Sequence, residues 1–274
     1  MIKSMTGTQS NLQPAMMLVP GANLNAYIQS VSSIPVLSRD REQELADAYY
    51  YQENLEAARE LIISHLRFVV HIARSYNGYG LAEADLIQEG DGILTNCFAE
   101  AGFVLALAFA KRDGKKFTVY IPETRPYLQG AKLTAPSLFE IGIEVVLITD
   151  NMPAHIMSEG KIQKFITAAD LVTLDGHVVN KVGTFQNAIA AHAHSIPFFA
   201  FAWGRDDTKA GRDDIVVEER NPAEIRLALG KPTTLHSINA RYPTFDITPP
   251  SYVSGIVTIH GVLSPNTLDN YPSW

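Results

Sequence analysis

The sequence predicts an α/β fold: a Rossmann-like parallel sheet with flanking helices over residues 91–274, preceded by a small all-α module over residues 1–90. Three observations carry this reading. After Gly92, short continuous apolar runs alternate with helix-length segments, as expected of parallel strands buried on both faces. Before Glu89, apolar residues recur every three or four positions, which is the period of a half-buried helix. A chain of 274 residues, 46% hydrophobic and 19% charged, has the composition of a globular protein and the length for one large domain or two modest ones, each with its own core.

The elements follow in order. "LSRDREQELADAYYY" opens on Ser38, a good N-cap, with acidic residues in the first turn where the helix dipole favours them. "NLEAARELIISHLRFVVHIARSY" sets Leu55, Ala58, Ile62, Leu66, Val69, Val70 and Ala73 on one face. Asn77-Gly78 and Gly80 break that helix, and "AEADLIQEG" starts another that Gly90 ends. Then come "GILTN" and the helical "AEAGFVLALAFAKRDG"; "FTVYIP" and "RPYLQGAKLTAPSLFEIG"; "EVVLIT" and "NMPAHIMSEG"; "KFITAADLVTL" and "NKVGTFQNAIAAHAHS"; and finally "PFFAFAW".

In an open parallel sheet, ligands bind just beyond the carboxyl ends of the strands. The residues expected there are Asn96 and Cys97; Glu123, Thr124 and Arg125; Asp150 and Asn151; and Asp170. Each also has a structural reading. Cys97 can be a small buried hydrophobe, Asp150 a helix cap, Asp170 a turn residue and Arg125 a partner of Glu123. The histidines of "AHAHS" lie two apart on a helix and point in different directions, so no metal site is expected. No GxGxxG or Walker motif supports a nucleotide-dependent enzyme.

Bulk charge narrows the classes further. A net charge of −7 argues against a non-specific nucleic-acid binder, which would show a basic face. The single cysteine excludes an intrachain disulfide and fits a reducing compartment. "MMLVP" is too short for a signal peptide, and no apolar run approaches ~18 residues. A cytoplasmic location is the expectation.

Two resemblances sharpen the functional reading. The stretch "LIISHLRFVVHIARSYNGYGLAEADLIQEG", within residues 24–90, resembles the N-terminal part of bacterial heat-shock-type sigma factors. It implies docking on RNA polymerase core through residues 24–89. The promoter-reading helix and the C-terminal helix-turn-helix of that family have no counterpart after Gly90.

From about residue 91 to residue 265, "GDGILTNC", "PETRPYLQGAKLT", "GIEVVLITDNM", "AADLVTLDGHVVNKVGT" and "FDITPPSYVSGIVTIHGVLSP" resemble the methylthioribose-1-phosphate isomerases. Relatives of those enzymes include the regulatory subunits of the translation-initiation guanine-exchange factor. The resemblance implies that Cys97 and Asp170 are catalytic and that Gln129, Asn180 and Lys181 contact substrate, with Asn96, Arg125, Asp150 and Asn151 lining the pocket. The regulatory relatives generally lack the cysteine–aspartate pair, so its presence favours the enzyme branch.

The implied substrate is 5-methylthioribose 1-phosphate or a related 5-modified ribose 1-phosphate, converted to the ribulose 1-phosphate without metal or organic cofactor. "FAEAGFVLALAFA" is shorter than the glycine-containing segment of typical methylthioribose members, which points to a different 5-substituent. The family's Arg-Gly-Ala phosphate contact and a further arginine have no counterpart in residues 1–90, which implies weakened activity. The expected partners are a sugar phosphate, RNA polymerase core and a second copy through the Rossmann-like domain. The rival readings are a polymerase-binding module and a chimera without function, joined at "LIQEGDGILTNC" (86–97).

Overall fold

A computed structural model describes residues 37–52, 54–61, 64, 86–258 and 261–270. The segment 24–36, the stripe residues Ile62, Leu66, Val69, Val70 and Ala73, the break at 77–80 and the N-terminal "MMLVP" lie outside the described residues. The chain divides into two compact units, Met1–Arg74 and Ser75–Trp274.

In the first unit, helix α1 spans Arg39–Gln52. It starts at Ser38 as the sequence predicts, because the Ser38 hydroxyl accepts from the Arg41 backbone N–H at 3.2 Å. Residues 55–61 are helical again. There the Asn54 side chain accepts from the N–H groups of Glu56 and Ala57 at 3.0 and 3.2 Å. The Arg41–Glu60 ion pair at 3.2 Å ties the two stretches together, and Leu45 and Ala57 are buried.

The second unit takes in the left half of "LIQEGDGILTNC". Ile87 is buried in the same core as Ile93, and its carbonyl accepts from the Lys115 ammonium at 2.7 Å. Gly90, at a φ of 83°, closes a turn and donates its N–H to the Lys116 carbonyl at 2.7 Å. Residues 86–90 therefore turn into the α/β unit, where the sequence pattern suggested a helix running to Gly90.

The chain then alternates as expected. Strand β1 (Gly92–Leu94) leads to α2 (Glu100–Arg112), and β2 (Thr118–Pro122) leads through a π-turn (Gly130–Thr134) to α3 (Ala135–Glu140). β3 (Glu144–Ile148), α4 (Pro153–Ser158), β4 (Lys164–Ala168), β5 (Leu171–Val172), β6 (Val178–Lys181), α5 (Thr184–Ala193) and β7 (Phe198–Phe201) follow. The rest comprises β8 (Leu227–Ala228), β9 (Lys231–Pro232), β10 (Phe245–Thr248), β11 (Gly255–Thr258) and β12 (Gly261–Leu263), with short 3₁₀ turns.

Seven strands form the main sheet in the order β12-β11-β7-β4-β1-β2-β3. All neighbours are parallel except β12, which runs antiparallel at the edge. A three-stranded antiparallel sheet, β10-β6-β5, stands beside it. Successive residues of each central strand feed opposite cores. Ile93, Ile166 and Val257 enter one with Phe103, Leu107 and Leu138. Leu94, Phe165 and Ile256 enter the other with Val178, Ala188 and Phe198. Burial on both faces is the reason these strands read as unbroken apolar runs.

Two local assignments change. "KFITAADLVTL" is two strands parted at Asp170, and Asn180 and Lys181 lie on β6 instead of opening a helix. Val178 to Lys181 pair with Thr248 to Phe245 on β10. The helix waits for Gly183, whose φ of 103° supplies the left-handed step before Thr184. β10, β11 and β12 were not foreseen as strands.

Candidate active site

The parallel strands wind outward in both directions from β1 and β4, which are direct neighbours with Leu94 beside Phe165. This reversal of winding opens a crevice at the carboxyl ends of the two strands. The chain leaves β1 through Asn96 and Cys97 and leaves β4 for Asp170.

Cys97 has a φ of 60° and Thr124 one of 62°, both in the left-handed region that side chains disfavour. Such backbone persists only when neighbours over-determine it, and here they do. The Cys97 N–H donates to the Thr124 hydroxyl oxygen at 3.1 Å. The Cys97 carbonyl accepts from the Thr134 hydroxyl at 2.7 Å. The N–H groups of Thr124 and Arg125 both donate to the Asp150 carboxylate, at 2.7 and 2.8 Å. Asp150 thus clamps the loop after β2, and it does not cap α4, whose N-cap is Met152. Gln129 enters the π-turn at the end of this loop, and the approach is close: a Cβ on Gly130 would sit 1.9 Å from the Pro122 carbonyl oxygen.

Beneath the crevice lies a buried amide–hydroxyl network. Asn96 donates to the Thr184 hydroxyl at 2.9 Å and to the Lys181 carbonyl at 3.3 Å. Asn180, 4% exposed, donates to the hydroxyls of Thr167 and Thr184, each at 3.0 Å. Its side-chain nitrogen is committed to the framework. Lys181 is only 5% exposed, and its ammonium sits 5.0 Å above the Phe245 ring.

The ionisable groups of the crevice act on one another. Burial raises the Cys97 thiol, with the Phe98 N–H and Lys181 opposing and Asp170 reinforcing the shift. Asp170 is exposed by accessible area, yet the protein packed around its carboxyl raises it, against the pull of Lys181 and then Arg220. Burial lowers the Lys181 ammonium, with the Cys97 thiolate opposing. Each of the three is pushed toward its neutral form: Asp170 and Lys181 shift toward neutral pH, which suits proton exchange, while Cys97 shifts away from it and stays a thiol.

The structure thus brings Cys97, Asp170 and Lys181 together over Asn96 and Asn180. The other two expected lining residues, like Asn96 and Asp150, also bond to the scaffold. Arg125 donates to the Leu227 and Ile225 carbonyls at 2.6 and 3.4 Å, and exposed Asn151 accepts from the Thr149 hydroxyl at 2.5 Å. Arg220 lies outside every resemblance motif, in the charged run "VVEERNPAE", and was missed; Tyr127 and Asp246 lie within the motifs "PETRPYLQGAKLT" and "FDITPPSYVSGIVTIHGVLSP" but were not singled out. His192 packs edge-on against Tyr252 at 5.1 Å.

A doubly wound α/β unit with a thiol and a carboxyl flanking its winding reversal belongs to the open parallel-sheet class, in which ligands generally bind at the carboxyl ends of the strands. Within that class, the chain belongs to the initiation factor 2 subunit family, whose profile matches residues 27–265. The match runs across the Gly90 junction.

The methylthioribose-1-phosphate isomerase of Carboxydothermus hydrogenoformans is 38% identical over 210 residues, covering 73% of this chain and 60% of that protein. The 5-deoxyribose 1-phosphate isomerase of Moorella thermoacetica is 42% identical over 192 residues, covering 66% of this chain and 54% of that one. The chain therefore spans between half and two thirds of these relatives. The crystal structure of 5-methylthioribose 1-phosphate isomerase from Pyrococcus horikoshii superposes with a TM-score of 0.65 at 28% identity, over 84% of this chain and 67% of that one. None of these relatives adds support to the sigma-factor resemblance.

Proposed function

We propose that the chain is an aldose–ketose isomerase acting on 5-methylthioribose 1-phosphate or a related 5-modified ribose 1-phosphate. The observation that carries this reading is the thiol–carboxyl pair at the ends of adjacent strands β1 and β4, beside a buried lysine. Asp170 is the general acid/base. It delivers a proton to the ring oxygen as the bond from C1 to that oxygen opens, and it receives the proton of the C2 hydroxyl as that carbon becomes the ketone. The hydrogen on C2 passes to C1, so the two carbons exchange oxidation level and no external oxidant is needed. Cys97 is the partner that stabilises the charge developing at C1 and C2. Lys181 offsets phosphate charge, while Asn180 and Gln129 hydrogen-bond phosphate or sugar oxygens.

The test compares the unmodified chain with Cys97→Ser and Asp170→Asn on 5-methylthioribose 1-phosphate and 5-deoxyribose 1-phosphate. Each substitution is expected to lower turnover by about 10²–10⁴-fold, the usual worth of a positioned acid or base. Equal background rates in all three proteins would overturn the reading and favour a non-catalytic family member.

For residues 24–90 the motif "LIISHLRFVVHIARSYNGYGLAEADLIQEG" carries a second proposal, docking on RNA polymerase core. Retention of the chain on immobilised core enzyme is the expected result, and no retention rejects the idea.

A further inference from the structure

The excursion between β7 and β10 returns to the crevice and brings an arginine with it. Residues 218–220 run antiparallel to 242–244: the Thr244 N–H donates to the Glu218 carbonyl and the Arg220 N–H to the Tyr242 carbonyl, each at 2.9 Å, around a bridge between Glu219 and Pro243. The 242–244 segment continues into β10, where Phe245 faces Lys181, and the Val182 N–H donates to the Thr244 carbonyl at 3.0 Å. Arg220 therefore stands one strand beyond the pairing that holds Lys181.

Its guanidinium is held in a fixed pose. The Nε and Nη2 groups fork onto the Glu218 carboxylate at 3.0 and 3.2 Å. The guanidinium carbon lies 5.3 Å from the centre of the Tyr127 ring. That ring meets the buried Tyr242 edge-on at 5.8 Å. Tyr127 belongs to the loop that Asp150 clamps at Thr124 and that ends in Gln129. A guanidinium forked onto a carboxylate and set over an aromatic ring is a more fixed neighbour for that ring than a lysine ammonium would be.

We infer that Arg220 is a positioning residue of the Cys97–Asp170–Lys181 site: it pins Tyr127 and the loop leading to Gln129, and it sets a second positive charge beside Lys181. This deepens the isomerase reading and rests on it for the kinetic readout alone. The charges facing Asp170 are Lys181 and Arg220, with Cys97 close by; those facing Lys181 are Cys97, Arg220, Asp170 and Glu218. Arg220 favours the Asp170 anion and disfavours the Lys181 cation. Removing it lets both groups hold their protons to higher pH.

The experiment uses Arg220→Met, which keeps an apolar stem over Tyr127, and Arg220→Lys, which keeps the charge but loses the fork. Titration of the Asp170 carboxyl by ¹³C NMR and of the Lys181 ammonium by ¹⁵N NMR reads the charge directly, without turnover. In Arg220→Met both titrations are expected to move to higher pH, and both limbs of the pH–rate profile with them. In Arg220→Lys the titrations return toward the unmodified positions while KM for 5-methylthioribose 1-phosphate rises more than kcat falls. Unmoved titrations in Arg220→Met, or shifts in opposite directions, overturn the electrostatic role. An unchanged KM in Arg220→Lys overturns the pinning of the loop. An unmodified chain without turnover refutes the isomerase reading instead, and the titrations still decide whether Arg220 acts on Asp170 and Lys181.

Discussion

Replacing Asp246 by asparagine is expected to stabilise the protein at neutral pH while changing little in acid. Asp246 sits opposite Asn180 on β10, at the entry to α5. Its carboxylate accepts from the N–H groups of Gly183 and Phe185 at 2.7 and 3.1 Å. An anion at a helix N-terminus is ordinarily favoured. Here burial outweighs those two bonds and pushes the carboxyl from 3.8 up to about 6. The folded state holds the proton more tightly than the unfolded chain, so stability is full below about pH 4 and falls as pH rises through about 6. A displacement of about two units corresponds to about 3 kcal/mol, at roughly 1.4 kcal/mol per unit. Asparagine keeps an acceptor oxygen for the same N–H groups and never ionises, so it escapes that loss. Urea denaturation of both proteins at about pH 4 and about pH 7.5 should show the variant's advantage growing by about 3 kcal/mol between the two conditions. An advantage of the same size at both pH values, or an unmodified protein that gains on the variant toward neutral pH, would refute the argument that burial governs this carboxyl.

The lone thiol gives a second prediction. Because burial raises Cys97, its alkylation by iodoacetamide should be slow at neutral pH and accelerate only above the range of a free thiol, with no other cysteine to confuse the signal. A thiol reacting at the free-cysteine rate contradicts the placement. Asp150→Ala removes the acceptor of two charge-assisted backbone hydrogen bonds. At about 1.5–3 kcal/mol each, and toward the lower end because the carboxyl is only half-buried, the loss should be about 3 kcal/mol in thermal or urea stability. Turnover should fall as well, since the clamped loop carries the hydroxyl that fixes Cys97; unchanged stability would show that the clamp is not needed.

The alternation of the main-sheet strands β1, β2, β3, β4 and β7 with helices was legible in the sequence alone, because burial on both faces imprints a local pattern that a short window of the chain displays; β5 and β6 were not. The polar residues at strand ends were legible for the same reason: Cys97 and Asp170 each terminate an apolar run. Which strand ends meet was decided only by tertiary structure, since the pairing of β1 with β4 brings together segments that no local pattern connects. Lys181 and Asn180 read as the start of a helix until β10 supplied the ladder that holds them extended. Arg220 comes near the site through space alone, and Asp246, though inside a resemblance motif, gained its place opposite Asn180 only from the β6–β10 pairing. Burial and charge act over distance in three dimensions, and an arginine in an exposed-looking run or an aspartate before two prolines carries no trace in sequence of the amides, rings and charges that the fold sets around it.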